Sequence, residues 1–195
     1  MIKSICVFCG SSDGSDPRYG QAARELGELI ADKGITLVYG GGNVGTMGML
    51  AEAAMKRGGK VVGIIPDKLN GLVDHLELSE LLVVKDMHER KALMQDMADA
   101  FLALPGGIGT MEELFEVWSW RYIGYHAKPI GLVNILGFYD ELARFLAVMV
   151  ESGFLRQELF LDLVMANSPA SALDLLIKKD REPALSFQKR AERKA

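Results

Sequence analysis

The sequence lacks a long hydrophobic run. None of its apolar stretches approaches the roughly 18 residues that a transmembrane helix needs. The stretch after Lys3 is also too short for a secretory signal, and no small-residue cleavage site follows it. We therefore expect no membrane partner and predict a cytoplasmic protein.

Cysteine is scarce, with two residues in a chain of 195. Cys6 and Cys9 form a C-x-x-C, but a redox pair of this kind normally opens a helix. Here the pair overlaps the strand pattern Ile5–Phe8, and strand residues three apart point to opposite faces. Two thiols are too few for a structural zinc site, and no other residues have the spacing of metal ligands. We predict buried, reduced thiols and no metal.

An excess of positive charge is also absent. The formal net charge of −4 argues against a dedicated nucleic-acid-binding protein. Basic residues are concentrated in residues 178–195, which contain seven Lys/Arg and three Asp/Glu. Such a run is typical of a solvated terminus, and we assign residues 180–195 to a flexible basic tail. The hydrophobic fraction of 49% over the whole chain supplies a globular core and excludes a disordered chain.

Short apolar runs alternate with amphipathic ones over residues 1–179. The runs that predict strands are Ile2–Cys9, Ile35–Tyr39, Lys60–Ile65, Leu81–Val84, Ala100–Leu104, Ile130–Val133 and Leu161–Met165. The patterns that predict helices lie near 17–33, 46–57, 87–98, 110–124, 138–152 and 169–179. This alternation indicates right-handed βαβ units. We predict one α/β domain, with a doubly wound, mostly parallel sheet of about seven strands and helices on both faces.

Two glycine-rich loops follow predicted strands, where open α/β sheets bind their ligands. The first, Gly40–Thr46, satisfies G-x-G-x-x-G at Gly40, Gly42 and Gly45, with Asp67 about twenty residues further on. That is formally a dinucleotide fingerprint, although it follows the second strand and not the first. A tight turn that needs glycine for close packing is the alternative. We include Gly42 and Gly45 among the candidate ligand contacts.

The second glycine-rich loop, Pro105–Thr110, lies directly before a predicted helix. Glycines let backbone N–H groups converge on an anion, and the helix N-terminus adds a partial positive charge. No G-K-[ST] follows, so the loop is not a P-loop. We expect a phosphate here, and the two loops together indicate a single nucleotide-sized ligand.

Two clusters of charged residues border these loops. Thr110 and Glu113 fit a capping box, so Glu113 can be either a helix cap or a catalytic carboxylate. Asp86 can cap the preceding helix together with Glu89. Arg90 and Lys91 then lie near the positive end of that helix, where cations are disfavoured. They are either exposed charges or residues with an anionic partner, whereas His88 has no evident partner.

These motifs together resemble the LONELY GUY (LOG) family, the cytokinin riboside 5′-monophosphate phosphoribohydrolases. The resemblance covers roughly residues 2–178. It is carried by CGSS at Cys9–Ser12, GGG-x-x-GTMG at Gly40–Gly48, MHERK at Met87–Lys91, PGGIGTMEE at Pro105–Glu113 and KPIGLVN at Lys128–Asn134. It implies a Rossmann-like fold and usually a homodimer with active sites near the interface. The implied reaction hydrolyses a nucleoside 5′-monophosphate to free base and ribose 5-phosphate, without a cofactor, and bacterial relatives often accept AMP.

The resemblance also implies roles for individual residues. The family's catalytic pair falls on Arg90 and Glu113. Its substrate contacts fall on Lys91, Gly107, Ile108, Gly109, Thr110, Met111, Glu112 and Glu113, and a further contact, Thr in many relatives, falls on Ser119. Many relatives carry a substrate-contacting Glu in the flap, for which we expect residues 67–80. Here Leu72 occupies that position, with Asp74 or Glu77 as candidate substitutes.

Three other functions fit parts of the sequence. A non-catalytic nucleotide-binding or carrier protein would share the fold, but Arg90 and Glu113 favour an enzyme. A nicotinamide-dependent oxidoreductase would use Gly40–Gly45, but the sequence has no clear set of residues for hydride transfer. An amino-acid decarboxylase would need a lysine in a recognisable pyridoxal-anchoring context, and none is evident.

Overall fold

The fold is built on a sheet of seven parallel strands in a computed structural model that describes residues 1–71 and 77–181. The strands are β1 (Ser4–Phe8), β2 (Thr36–Tyr39), β3 (Val61–Pro66), β4 (Glu80–Val84), β5 (Ala100–Ala103), β6 (Ile130–Val133) and β7 (Val164–Ala166). The helices are α1 (Pro17–Asp32), α2 (Gly45–Lys56), α3 (Asp67–Asn70), α4 (Met87–Met97), α5 (Ile108–Ile123), α6 (Asp140–Glu151), α7 (Gln157–Asp162) and α8 (Pro169–Lys179). This architecture confirms the predicted α/β fold.

The strand order is β4-β3-β2-β1-β5-β6-β7. The chain therefore runs outward from β1 to β4 and then returns to place β5 beside β1, with Ile5 opposite Ala100. Open α/β sheets bind ligands at such a reversal, in the crevice beyond the carboxyl ends of the strands. In this protein the crevice lies between the loops that follow β1 and β5.

The sheet separates two hydrophobic cores. Helices α1, α2 and α8 pack on one face, whereas α4, α5 and α6 pack on the other. Cys9 belongs to the first core and Cys6 to the second, and both thiols are free and buried. The prediction of two divergent, reduced cysteines is confirmed.

Local sequence signals explain where several helices begin. The Asp16 carboxylate accepts a hydrogen bond from Arg18 N–H, and Pro17 occupies the first position of α1. Ser168 and Pro169 do the same for α8. A side-chain acceptor at the N-cap pairs with an N–H group that would otherwise have no partner. Proline at the first helical position has no N–H group that needs one.

The structure departs from the predicted elements in two places. The predicted strand Leu161–Met165 is wrong in its first half, because α7 continues to Asp162 and β7 begins at Val164. A short apolar run fits either a buried helix or a strand. The predicted irregular flap begins with the one-turn helix α3 and ends at Glu80 in β4.

Parts of two predicted segments lie outside the described residues. These are Leu72 and Asp74 of the flap, and residues 182–195 of the predicted tail. Within residues 1–71 and 77–181, no helix has both the length and the apolar character needed to cross a membrane.

Candidate active site

The loops after β1 and β5 meet at the crevice. A Cβ added to Gly106 would lie 3.0 Å from Gly10 N, so glycine allows the two backbones to approach. The Thr46 hydroxyl, at the start of α2, accepts a hydrogen bond from Gly10 N–H and donates one to Gly10 C=O, both at 3.0 Å. The buried threonine thus fixes the loop after β1 against α2.

A cavity of about 200 Å³ opens above these loops. Its floor is formed by the backbone of Gly10–Gly14 and Pro105–Gly107, together with Thr46. One wall is aromatic, because Tyr19 and Phe138 contact edge to face with ring centroids 6.0 Å apart. The cavity therefore combines polar backbone with a ring surface at the point where the strand order reverses.

The N-terminus of α5 borders this cavity. Gly107 is the N-cap residue and has no side-chain cap, and Met111 N–H donates to Gly107 C=O at 3.1 Å. The N–H groups of Ile108, Gly109 and Thr110 precede that bond, so they are available to an anion. A Cβ on Gly107 or Gly109 would meet nothing within 4 Å. The space in front of the helix is open.

The start of α5 contradicts one interpretation of Glu113. The helix begins at Ile108, so Thr110 is its third residue and is buried at 4% exposure. A capping box requires the threonine at the N-cap, a position that Gly107 occupies. The capping-box interpretation is therefore wrong, and Glu113 lies in the second turn of the helix.

Glu113 pairs with Arg90 of α4. The Arg90 Nη1 group donates to Glu113 Oε1 at 2.9 Å, and Arg90 Nε donates to the carbonyl oxygen of Ile64 in β3 at 3.0 Å. The side chains of Arg90 and Glu113 are 12% and 13% exposed. The pair therefore joins α4, α5 and β3 at the carboxyl edge of the sheet, largely shielded from water.

Burial controls the charge of this carboxyl group. Loss of hydration raises the pKa of Glu113 above its ordinary value, and the Arg90 guanidinium opposes that rise without cancelling it. Opposing effects of burial and of a neighbouring cation on the pKa of one carboxyl group are typical of functional sites.

The start of α4 places Arg90 as predicted. Asp86 is the N-cap residue, and its carboxylate accepts hydrogen bonds from the N–H groups of His88 and Glu89 at 2.9 and 3.0 Å. The Glu89 carboxylate accepts from Lys85 N–H at 2.7 Å. The predicted cap is confirmed, with Glu89 bonded one residue before the N-cap.

A second network lies beside the Arg90–Glu113 pair. Lys91 Nζ contacts Glu112 Oε1 and Glu116 Oε1, the latter at 3.0 Å, and Gln95 Nε2 donates to Glu116 Oε2 at 3.1 Å. Burial alone would lower the pKa of Lys91, but its hydrogen bonds to the two glutamates raise it above the ordinary value. Lys91 therefore carries a full charge at neutral pH.

Comparisons with known proteins identify the chain's family. The family model described as "possible lysine decarboxylase" matches residues 47–176. A cytokinin riboside 5′-monophosphate phosphoribohydrolase of Rhodococcoides fascians is 43% identical over 186 residues, which is 94% of this chain and 88% of the relative. The chain belongs to the LOG family. An Arabidopsis thaliana relative, also a cytokinin riboside 5′-monophosphate phosphoribohydrolase, is 48% identical over 155 residues, 79% of this chain and 71% of its own.

Solved structures share the fold of this LOG-family chain. A molybdenum cofactor binding protein of Rippkaea orientalis superposes with a TM-score of 0.68 at 25% identity, covering 91% of this chain and 97% of the neighbour. The molybdenum cofactor carrier protein of Chlamydomonas reinhardtii gives 0.69 at 20% identity, covering 93% and 100%. At 20% identity the second match shows the fold alone.

The structure brings together most of the residues that the LOG resemblance singled out. Arg90 and Lys91 face Glu113 and Glu112 across the α4–α5 contact, beside Gly107–Thr110. Ile108 is 90% exposed at the mouth of the site, and Met111 is partly buried against the second core.

Three other predicted contacts occupy different surroundings. Ser119 is exposed on α5, six residues after Glu113, which places it about 9 Å further along the helix axis on another face. Gly42 is buried in the loop before α2. Gly45 has φ +55°, and a Cβ there would overlap the backbone of Ser11 and Ser12. The absence of a side chain at Gly45 therefore allows the loop after β1 to pack against the start of α2.

Sequence reasoning missed several parts of the site. It did not find the bond of Arg90 to the Ile64 carbonyl, the Thr46 lock on Gly10 or the Tyr19–Phe138 wall. Each joins segments that are distant in the sequence, so only the strand order could have revealed them. Among the described residues, no group of three His, Cys, Asp or Glu side chains could hold a metal ion.

Proposed function

We propose that this protein hydrolyses the N-glycosidic bond of nucleoside 5′-monophosphates, releasing a free base and ribose 5-phosphate. Cytokinin riboside 5′-monophosphate is the first proposed substrate, in line with the names of the relatives, and AMP is the second. The observation that carries the proposal is the shielded Arg90–Glu113 pair, 2.9 Å apart, beside the open N-terminus of α5.

The proposed chemistry centres on Glu113. Cleavage of the bond between C1′ and the base nitrogen leaves a sugar with oxocarbenium character, as in glycoside hydrolysis. The Glu113 carboxylate would stabilise that positive charge and accept a proton from the attacking water as the new C1′–O bond forms, while the base leaves with the electrons of the broken C1′–N bond and takes a proton from water. Arg90 would polarise the leaving base or hold an anionic part of the substrate. Loss of hydration strengthens both interactions.

The 5′-phosphate is proposed to bind at the start of α5. The N–H groups of Ile108, Gly109 and Thr110 precede the first hydrogen bond of the helix, the space beside Gly107 and Gly109 is open, and the 16-residue helix contributes its positive end. Lys91, fully charged beside Glu112, adds a nearby cation. The cavity above Gly10 and Gly106 leaves room for the rest of a nucleotide to extend from this point.

We further propose a homodimer that uses the outer face of α5. Ile108, Phe115 and Ile123 are 90%, 38% and 45% exposed, and they recur at helical spacing with Ser119 between them. Tyr125, just after the helix, is 78% exposed. An apolar stripe of this kind is typical of a protein interface. Ser119 would then face the partner subunit.

A carrier protein is the second candidate function. It is favoured by the match to the Rippkaea orientalis molybdenum cofactor binding protein at 25% identity. A carrier binds its ligand and releases it unchanged, whereas the proposed enzyme produces a free base.

Chromatography of the reaction products separates the two candidates. The purified protein is incubated with AMP or with isopentenyladenosine 5′-monophosphate, and the free base is quantified over time. Base that accumulates through many turnovers supports the hydrolase. Stoichiometric binding without any base would refute it and leave the carrier.

A further inference from the structure

The guanidinium of Arg90 packs against a glycine that lies far from it in the sequence. Gly40 directly follows β2, and a Cβ added there would overlap Arg90 Nη2 and lie 3.4 Å from Arg90 Cζ. In the described chain, the backbone at Gly40 is not in the left-handed region. Alanine could therefore adopt the same backbone conformation, and the glycine is required for space.

The other sides of the guanidinium are also occupied. Nε donates to Ile64 C=O at 3.0 Å, whereas Nη1 donates to Glu113 at 2.9 Å and contacts Met87 Sδ at 3.3 Å. A side chain at position 40 could be accommodated only if Arg90 gave up some of these bonds. The Nη2 group, in contrast, donates to no protein acceptor within residues 1–71 and 77–181.

We propose that Gly40 is a positioning residue for the reaction, because its missing side chain leaves the space in which the Arg90 guanidinium is held against Glu113. This inference rests on the proposed hydrolase function. It assigns to the first glycine of the G-x-G-x-x-G pattern a contact with a catalytic side chain, whereas a dinucleotide fingerprint would assign that glycine to the ligand.

A purely structural role for Gly40 predicts that Gly40→Ala loses stability and keeps its kcat, whereas the positioning role predicts the reverse. Arginine is long and flexible, so the fold can admit alanine by moving the end of one side chain. We expect the melting temperature of Gly40→Ala to stay within about 4 °C of the wild type, while kcat falls on the order of 10- to 100-fold, because catalytic groups tolerate little displacement.

A double-mutant cycle tests whether Gly40 acts through Arg90. Arg90→Lys keeps the positive charge but removes the planar guanidinium, and under the proposed function it lowers kcat by itself. In that background Gly40→Ala should change kcat by less than about twofold, because the group that it displaces is gone. An equal loss of kcat in both backgrounds would overturn the inference.

The pH profile of kcat distinguishes the positioning role from a packing defect, because a packing defect would leave the pKa of Glu113 unchanged. The ionisable groups around Glu113 are Arg90 and Lys91 on α4, Glu112 on its own helix, and Cys6 and Cys9, whose pKa values burial raises. Displacing Arg90 removes the main opposing charge, so the pKa of Glu113 should rise further and the acidic limb of kcat should move to higher pH. A ¹³C NMR titration of the Glu113 carboxyl reports the same shift without substrate. An unchanged pKa in Gly40→Ala would refute the inference even if turnover fell.

Met47 provides the matched control. Its Sδ lies 3.2 Å from a Cβ at position 40, so alanine could disturb this methionine and not Arg90. Gly40→Ala combined with Met47→Ala removes that second contact, and kcat should stay low. Recovery of kcat would show that Met47 was the displaced group and would overturn the inference.

The same assays separate this inference from the proposed function. Wild-type turnover in Arg90→Lys would contradict the catalytic assignment itself. If Arg90→Lys turned over slowly and Gly40→Ala turned over at the wild-type rate, the proposed hydrolase function would stand. Only the role of Gly40 would be refuted.

Discussion

Replacing Glu113 by glutamine is the sharpest test of the proposed active site. Glutamine keeps the shape of the side chain and an oxygen that accepts the hydrogen bond from Arg90 Nη1. It removes the negative charge that faces C1′ in the proposed reaction. We expect kcat for AMP to fall at least about 100-fold, which corresponds to roughly 2.7 kcal/mol of lost transition-state stabilisation.

The stability of the same variant should move in the opposite direction. Burial raises the folded-state pKa of Glu113 above its ordinary value of 4.5, so the folded protein holds this proton more tightly than the unfolded chain. The contribution of this group to stability is then greatest below pH 4.5, and it falls as the pH rises through the folded-state pKa. At pH 7 the charge of Glu113 therefore opposes folding. Glutamine carries no charge, so Glu113→Gln should melt at the same temperature as the wild type or higher.

Thermal melts and steady-state kinetics of the variant decide between catalytic and structural roles. A structural role for Glu113, as the ion-pair partner that holds Arg90, predicts a loss of stability with turnover intact. Glu116→Gln is the matched control, because Glu116 is also a partly buried glutamate of α5 that pairs with a cation of α4, Lys91. It should retain kcat within about threefold. Near-wild-type turnover in Glu113→Gln would refute the mechanism.

Three further outcomes follow from the structure. Adenosine should have a kcat/KM at least about 100-fold below that of AMP, because the α5 N–H groups would lose their phosphate; similar values would exclude that assignment. Phe115→Asp should convert a dimer into a monomer of 21.4 kDa in light scattering, and a wild type that is already monomeric would contradict the interface. Burial lowers the pKa of His126 from 6.5 to about 4, so its contribution to stability is complete above pH 6.5 and is lost as the pH falls toward 4. The melting temperature should fall over that range, and His126→Asn should flatten the curve; an unchanged slope would exclude His126 as the cause.

The sequence predicted the inner strands of the sheet well because they are buried on both faces. The strand Ala100–Ala103 is continuously apolar, and Pro105 and two glycines follow it within four residues, which leaves little ambiguity about where it ends. The apolar run that contains Asp162 was misassigned because its apolar pattern does not separate helix from strand. Residues that are distant in the sequence hold this segment in place, because Asp162 pairs with Arg121 of α5 and Lys179 of α8.

The sequence predicted the cationic side of the site, and the electrostatics of the helix explain why. Arg90 and Lys91 lie in the first turns of α4, where the helix dipole disfavours cations, and this predicted an anionic partner. The structure supplies protein partners: Glu113 for Arg90, and Glu112 and Glu116 for Lys91. The alternative of two exposed charges is wrong, since both cationic side chains are 12% exposed.

Local pattern failed where a glycine replaced the expected cap. Thr110 and Glu113 match the capping-box spacing, yet α5 begins two residues before Thr110 with Gly107 at the N-cap. Glycine is an acceptable N-cap residue and leaves no signal in the side-chain pattern. Because α5 begins at Ile108, Glu113 lies three residues beyond the capping position and pairs with Arg90 instead.

The fold alone does not decide between a hydrolase and a binding protein without catalysis, because the solved neighbours include a molybdenum cofactor binding protein. The relatives named as phosphoribohydrolases, at 43% and 48% identity, favour the hydrolase, and the surroundings of Glu113 agree with them. Burial raises the pKa of Glu113 despite its contact with Arg90, so at neutral pH the ionised group makes the folded state less stable than a neutral residue of the same shape would. A carrier of anionic nucleotides gains nothing from such a charge, which would also repel its ligand. A hydrolase can use it, because a negative group stabilises the positive charge that develops on the sugar during cleavage.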